Sequence, residues 1–206
     1  MQHKVIPTGK RSEYVCRLFV ICVTIALVGW IFETLGCLVA FGALSDRGFL
    51  TLPLCPIYGI SIIAIYLLVG TPVQLSGPLG GKIRKTALWK KVVQNKKWRK
   101  YAFYFVFVTL LSTAAELVTG LAVKPFGVEL WSYEDQPLNL WGVICPTYSL
   151  LWGVLITAFM SLAWQPLYDL IFKIKKHTLY SLSLTLAVPI AADFSVNTIK
   201  LFLNKF

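Results

Sequence analysis

The chain has 206 residues, 57% of them hydrophobic and only 14% charged, with a mean hydropathy of +0.69. A water-soluble globule of that length needs far more polar surface to cover its core, so that class is excluded. The formal net charge of +11 does not mark a nucleic-acid binder, because the cations occupy short links between long apolar runs.

A hydrocarbon core about 30 Å thick takes about 20 apolar residues per helical crossing. In chain order, five runs qualify: 18–44, 54–70, 101–123, 140–164 and 179–203. The alternating pattern of a spanning β-strand is absent, so the fold expected is an all-α polytopic membrane protein of five transmembrane helices. The first run is longer than the apolar core of a cleavable signal peptide and lacks a small-residue cleavage site, so no signal peptide is expected. The second run is short and begins near a proline, and the fourth is expected to break near Pro146.

The links alternate in charge. Lys4, Lys10, Arg11 and Arg17 precede the first run, a dense basic stretch covers 82–100, and Lys173, Lys175 and Lys176 precede the last. The other two links hold Asp46 with Arg47, and Lys124 with Glu129, Glu134 and Asp135. The positive-inside rule then places the N-terminus in the cytoplasm and the C-terminus outside. The basic stretch GKIRKTALWKKVVQNKKWRK carries Trp89 and Trp98, and two roles fit it. It lies on anionic headgroups as an interfacial helix, or it docks a cytoplasmic partner such as an ATPase.

The segment LCPIYG (54–59) is echoed by ICPTYS (144–149), with Cys, Pro and Tyr at the same offsets. Aligning the two places GWIFETLG over LLSTAAELVTG, each with a lone glutamate, Glu33 and Glu116. The expectation is two parallel two-helix repeats, 18–70 and 101–164, joined by the basic link 71–100. A tail (1–17) precedes them, and a second basic link with an extra fifth helix (165–206) follows. Parallel repeats of this kind occur among transporters. Pro56 and Pro146 fall where a helix begins, since a missing N–H is tolerated there.

A carboxylate within a span costs several kcal/mol unless it faces the bundle interior, a partner or water. Gly29 and Gly36 share a helical face with Glu33, as do Ser112 and Gly120 with Glu116. Small residues let a second helix approach, so both glutamates are expected to point inward. The last helix carries Asp193, Asn197 and Lys200 as a polar stripe, either a packing device or part of a site. A polar cavity in the outer half of the bilayer is therefore expected around Glu33, Glu116 and Asp193, with Asn197, Arg47 and the Tyr58 and Tyr148 hydroxyls lining it. The alternative is that the glutamates only lock the two halves together.

Other chemistry finds little footing. Five cysteines make no disulfide framework. His3 and His177 lie outside the runs, with no CxxC or HExxH, so no metal is expected. No Walker A sequence or GxSxG elbow is present, and no cofactor is called for.

GWIFETLG, DRGFLTLPLCPIYG, AELVTG and LWSYEDQPLNLWGVICPTYSLLWG together resemble the ABC-transporter type IV permease family of bacterial membrane proteins, also called CmpB-like. The resemblance runs from about residue 18 to 164. Its polar and aromatic marks fall on Trp30, Glu33, Arg47, Gly48, Cys55, Pro56, Tyr58 and Gly59 in the first half. In the second they fall on Glu116, Gly120, Trp131, Tyr133, Asn139, Gly142, Cys145, Ser149, Leu151 and Trp152. A more polar residue is usual after the second cysteine than the Pro146 found here, so the strict echo is partly this chain's own. The resemblance implies a small transport protein or permease-like subunit of the bacterial inner membrane. A homodimer or a partner subunit such as an ATPase would complete it. Runner-up functions are a membrane-embedded enzyme acting on lipid or envelope precursors, and a non-catalytic scaffold or regulator.

Overall fold

The computed structural model describes residues 11–42, 49–93, 96–126 and 131–203. Regular structure among them is helical, apart from one isolated antiparallel bridge between Leu140 and Ile144. In chain order the helices are α1 (Arg11–Phe41), α2 (Pro56–Leu68), α3 (Pro78–Lys85), α4 (Lys97–Val123), α5 (Pro146–Ala158), α6 (Trp164–Phe172) and α7 (Lys176–Leu203). A wide π-helical turn, Phe159–Ala163, joins α5 to α6 in one run. It lies where Pro166 has no N–H to offer the carbonyl four residues earlier.

Among the described residues four helices, Arg11–Val39, Lys97–Val123, Pro146–Phe172 and Lys176–Lys200, are long and apolar enough to cross a membrane. The chain is a multi-pass helical membrane protein. The remaining apolar helix, α2, has 13 residues, a length of about 20 Å. Alone it falls short of the hydrocarbon core, and the preceding 49–55 is non-helical.

Helix boundaries follow local rules. α2 and α5 both begin on the proline of a Cys-Pro pair, where fixed φ helps and no donor is lost. Cys145 before Pro146 is extended (φ −148°, ψ 154°), as a residue preceding proline prefers. α1 closes on Gly42 at φ 69°, whose N–H bonds Leu38 O at 2.9 Å, a left-handed cap that glycine adopts without a Cβ clash.

The chain forms two compact units. The first joins Met1–Ile63 to Leu167–Phe206. In it α7 packs on α1, and Ala26, Leu50 and Leu54 form a buried cluster with Val23, Phe49, Leu52 and Ile190 around it. Phe49 also meets Phe194 edge-on at 5.5 Å. Arg17, grouped by sequence with the exposed cations of the tail, is instead only 7% exposed. Its guanidinium donates to Ile171 O at 2.6 Å and Ile174 O at 3.2 Å, pairs with Glu13 at 2.7 Å, and lies 4.9 Å from the Phe172 ring centroid. It adds donors to two carbonyls where α6 gives way to the turn before α7, one of which, Ile171 O, also accepts the Ile174 N–H.

The second unit is Ala64–Pro166. α4 packs on α5, and Gly153 makes room for the Thr109 side chain and the Phe105 ring. Tyr104, 1% exposed, donates to Gly70 O at 2.9 Å, and Trp164 lies against Tyr66 with centroids 4.1 Å apart. The basic link is not one continuous helix. α3 ends at Thr86, and a short second turn follows whose Trp89 is buried against Phe103.

Candidate functional site

Glu33 lies on α1 and meets the Cys-Pro-x-Tyr element at the start of α2. The Cys55 N–H bonds Ala26 O at 3.0 Å, which fixes the extended entry against α1. One turn later the Tyr58 hydroxyl donates to Glu33 Oε1 at 2.6 Å, and the Cys55 thiol faces Glu33 Oε2 at 3.7 Å. Two glycines allow the approach. A Cβ on Gly29 would collide with the Tyr58 ring, and one on Gly59 with the Cys22 backbone. On the same stretch of α1, Trp30 Nε1 and Thr34 Oγ1 are buried with no hydrogen-bond partner among the described residues.

Glu116 on α4 has a parallel setting in the second unit, built differently. The hydroxyl that reaches its Oε1, at 3.4 Å, belongs to Tyr133 in the loop before α5. The Trp152 indole N–H neighbours the same carboxylate. Tyr148, the counterpart of Tyr58 in the echo, stacks on Tyr133 with centroids 4.7 Å apart and 13° between planes. The loop is held by its own bonds: Tyr133 N–H to Gly142 O at 2.8 Å, Trp131 Nε1 to Val143 O at 2.8 Å, and the Asn139 amide to Gln136 O at 2.9 Å. Burial, and then the Glu116 carboxylate, holds the Tyr133 phenol well above the usual tyrosine range, so it stays a donor. Gly120, one turn beyond Glu116, faces Val143 where a Cβ would not fit. Thr113 Oγ1 and Glu116 Oε2 are buried without a hydrogen-bond partner among the described residues.

The α7 stripe makes neither of these contacts. Asp193 Oδ2 accepts the Leu52 N–H at 2.9 Å and its Oδ1 accepts Asn197 Nδ2 at 3.0 Å, while Asn197 also bonds Thr51 at 3.2 Å. The stripe ties α7 to the non-helical entry of α2, which in turn positions Cys55 and Tyr58. Arg47 lies outside the described residues. Sequence reasoning missed Tyr133 as the phenol on Glu116, although Trp131 and Tyr133 were marked by the resemblance. It also missed Arg17, for which Glu13 one turn earlier was the available signal.

Residues 18–198 match the family described as "Putative ABC-transporter type IV". The chain belongs to this family. The match runs past the quoted motifs, through α6 and most of α7, so the Asp193–Asn197 stripe lies inside the family region. No curated protein and no solved structure gives a significant match.

Proposed function

We propose that this chain is a transport protein or permease-like subunit in which Glu33 and Glu116 meet a polar solute within the membrane. One observation carries this. In each unit an intramembrane glutamate is held by a phenol beside a Cys-Pro helix entry, and a buried polar atom three residues before it, Trp30 Nε1 or Thr113 Oγ1, has no partner among the described residues. An unpaired polar group away from water costs roughly 1–3 kcal/mol or more. A scaffold has no reason to keep such costs at matching positions, whereas a site that hydrogen-bonds its cargo does.

Within this proposal α2 and its extended entry together make a fifth crossing, and the two hairpins are parallel repeats. The positive-inside distribution supports a cytoplasmic N-terminus and an extracytoplasmic C-terminus in a bacterial inner membrane. Membership in an ABC-transporter family supports an ATPase subunit as partner, and a homodimer is the other route to a complete pathway. In the first unit the polar site would draw on Glu33 and Tyr58, and in the second on Glu116 and, through Tyr133, on Tyr148. Asp193 and Asn197 would position the α2 entry.

The test is uptake into proteoliposomes of a panel of labelled amino acids, polyamines and monovalent cations, with the wild type, Glu33→Gln and Glu116→Gln. Transport predicts uptake of at least one probe, lost in both variants at unchanged melting temperature. Variants that only melt earlier, with uptake and cellular phenotype intact, would return the glutamates to a purely structural role. Turnover of a lipid without any gradient would instead favour an enzyme.

A further inference from the structure

The most basic part of the second unit is folded, and its fold decides what it offers outward. Thr86 ends α3 and starts the next turn: its hydroxyl donates to Ile83 O at 2.7 Å and accepts the Trp89 N–H at 3.2 Å. Trp89 and Val93, one turn apart, are each 4% exposed, and the Trp89 ring meets Phe103 of α4 edge-on at 5.5 Å. With that face pinned on α4, Lys82, Arg84, Lys85, Lys90, Lys91 and Lys97 are all exposed. No acidic residue occurs anywhere in 78–100.

Two exposed apolar side chains sit among these cations, Leu88 at 57% and Trp98 at 64%, the latter with Arg99 5.5 Å from its ring. Trp98 is in the first turn of a helix long enough to cross the membrane, the level at which tryptophan marks the headgroup boundary. Exposed cations interleaved with exposed apolar groups suit a surface that is anionic above and greasy below. Protein interfaces, by contrast, are depleted in lysine, and five of the six cations named are lysines.

We propose that the folded stretches 78–93 and 96–100 form a binding surface for anionic phospholipids, their ammonium and guanidinium groups taking the phosphates while Leu88 and Trp98 enter the acyl boundary. The occupant is the lipid, not an acidic protein. The surface stands apart from the carboxylate sites and needs no transport reading.

The test compares the association of spin-labelled phosphatidylglycerol and phosphatidylcholine with the full chain in phosphatidylcholine bilayers. Wild type should prefer the anionic label at least about fivefold, the weight of a single cation near an anionic surface, and high salt should erode that preference. Lys82→Gln, Lys85→Gln, Lys90→Gln and Lys91→Gln combined should abolish it with melting unchanged, because these side chains are exposed. Lys173→Gln with Lys175→Gln, in the other basic link, should leave most of it. Equal association of the two lipids with the wild type overturns the proposal and leaves an acidic protein as the occupant. An equal loss from the Lys173 and Lys175 pair also overturns it, since the preference would then follow net charge alone.

Discussion

Arg17→Ala tests whether the buried guanidinium holds the first unit together. The Arg17 and Glu13 side chains are 8% and 15% exposed, so little solvent screening discounts the contacts. The substitution removes two charge-assisted bonds, to Ile171 O and Ile174 O, each worth about 1.5–3 kcal/mol. It also removes one side of the Arg17–Glu13 ion pair, and breaking one side of a buried pair costs about 3–5 kcal/mol. These overlap, because one side chain makes both, so the expected loss is about 3–5 kcal/mol. Arg17→Lys keeps the charge but not the planar fork that serves two carbonyls and a carboxylate together, and should fall between. Reversible unfolding in mixed detergent micelles reads the loss. Glu13→Gln added to Arg17→Ala should cost less than the two single losses summed, because its partner is already gone. Arg17→Ala within about 1 kcal/mol of wild type would refute the account, as would full additivity.

Gly59→Ala should destabilise by about 1–3 kcal/mol, since its Cβ would meet the Cys22 backbone. Gly36→Ala, whose Cβ meets nothing within 4 Å, should instead stabilise α1 by up to about 1 kcal/mol, and the same unfolding titration compares the two. Asp193→Ala removes the acceptor of the Leu52 N–H, so hydrogen exchange at Leu52 should quicken while amides in α4 keep their protection. Tyr133 adds a pH dependence of known sign. Its folded phenol is held above the ordinary value, so the fold loses stability as pH rises past about 10, where an unfolded tyrosine gives up its proton. Tyr133→Phe should flatten that alkaline decline, measured as unfolding free energy against pH.

What could be read from the sequence was set by local chemistry. The long helices follow from apolar length, and the starts of α2 and α5 from Pro56 and Pro146. Arg17 was hidden because a cation at the end of an apolar run looks interfacial. Only the carbonyl end of α6, more than 150 residues away in the chain, makes it a buried cap. For the basic link, nothing in the composition announces that Thr86 ends its first helix and that Trp89 turns in. The Cys-Pro-x-Tyr echo predicted equivalent roles for Tyr58 and Tyr148. The loop before α5 supplies Tyr133 instead, which takes the carboxylate and leaves Tyr148 as its stacking partner.

That exchange of tyrosines makes the two glutamates unlike in a way that bears on the proposed function. Glu33 is held by a 2.6 Å phenol bond from the first turn of α2 and faces the thiol of the residue just before that helix. Glu116 is held by a 3.4 Å bond from a loop tyrosine, and its other oxygen is buried without a hydrogen-bond partner among the described residues. A short bond from a helix is harder to replace than a long one from a loop, so an incoming polar group would displace Tyr133 more readily than Tyr58. On the proposed function, Glu116 would then be the carboxylate that exchanges partners and Glu33 the one that holds its place. Moving the Tyr133 hydroxyl also disturbs its stack on Tyr148, which lies in the first turn of α5 beside Cys145 and Pro146. On the proposed function, binding at Glu116 would thereby reach the helix entry, where a proline-led start has fewer hydrogen bonds to break than any mid-helix position.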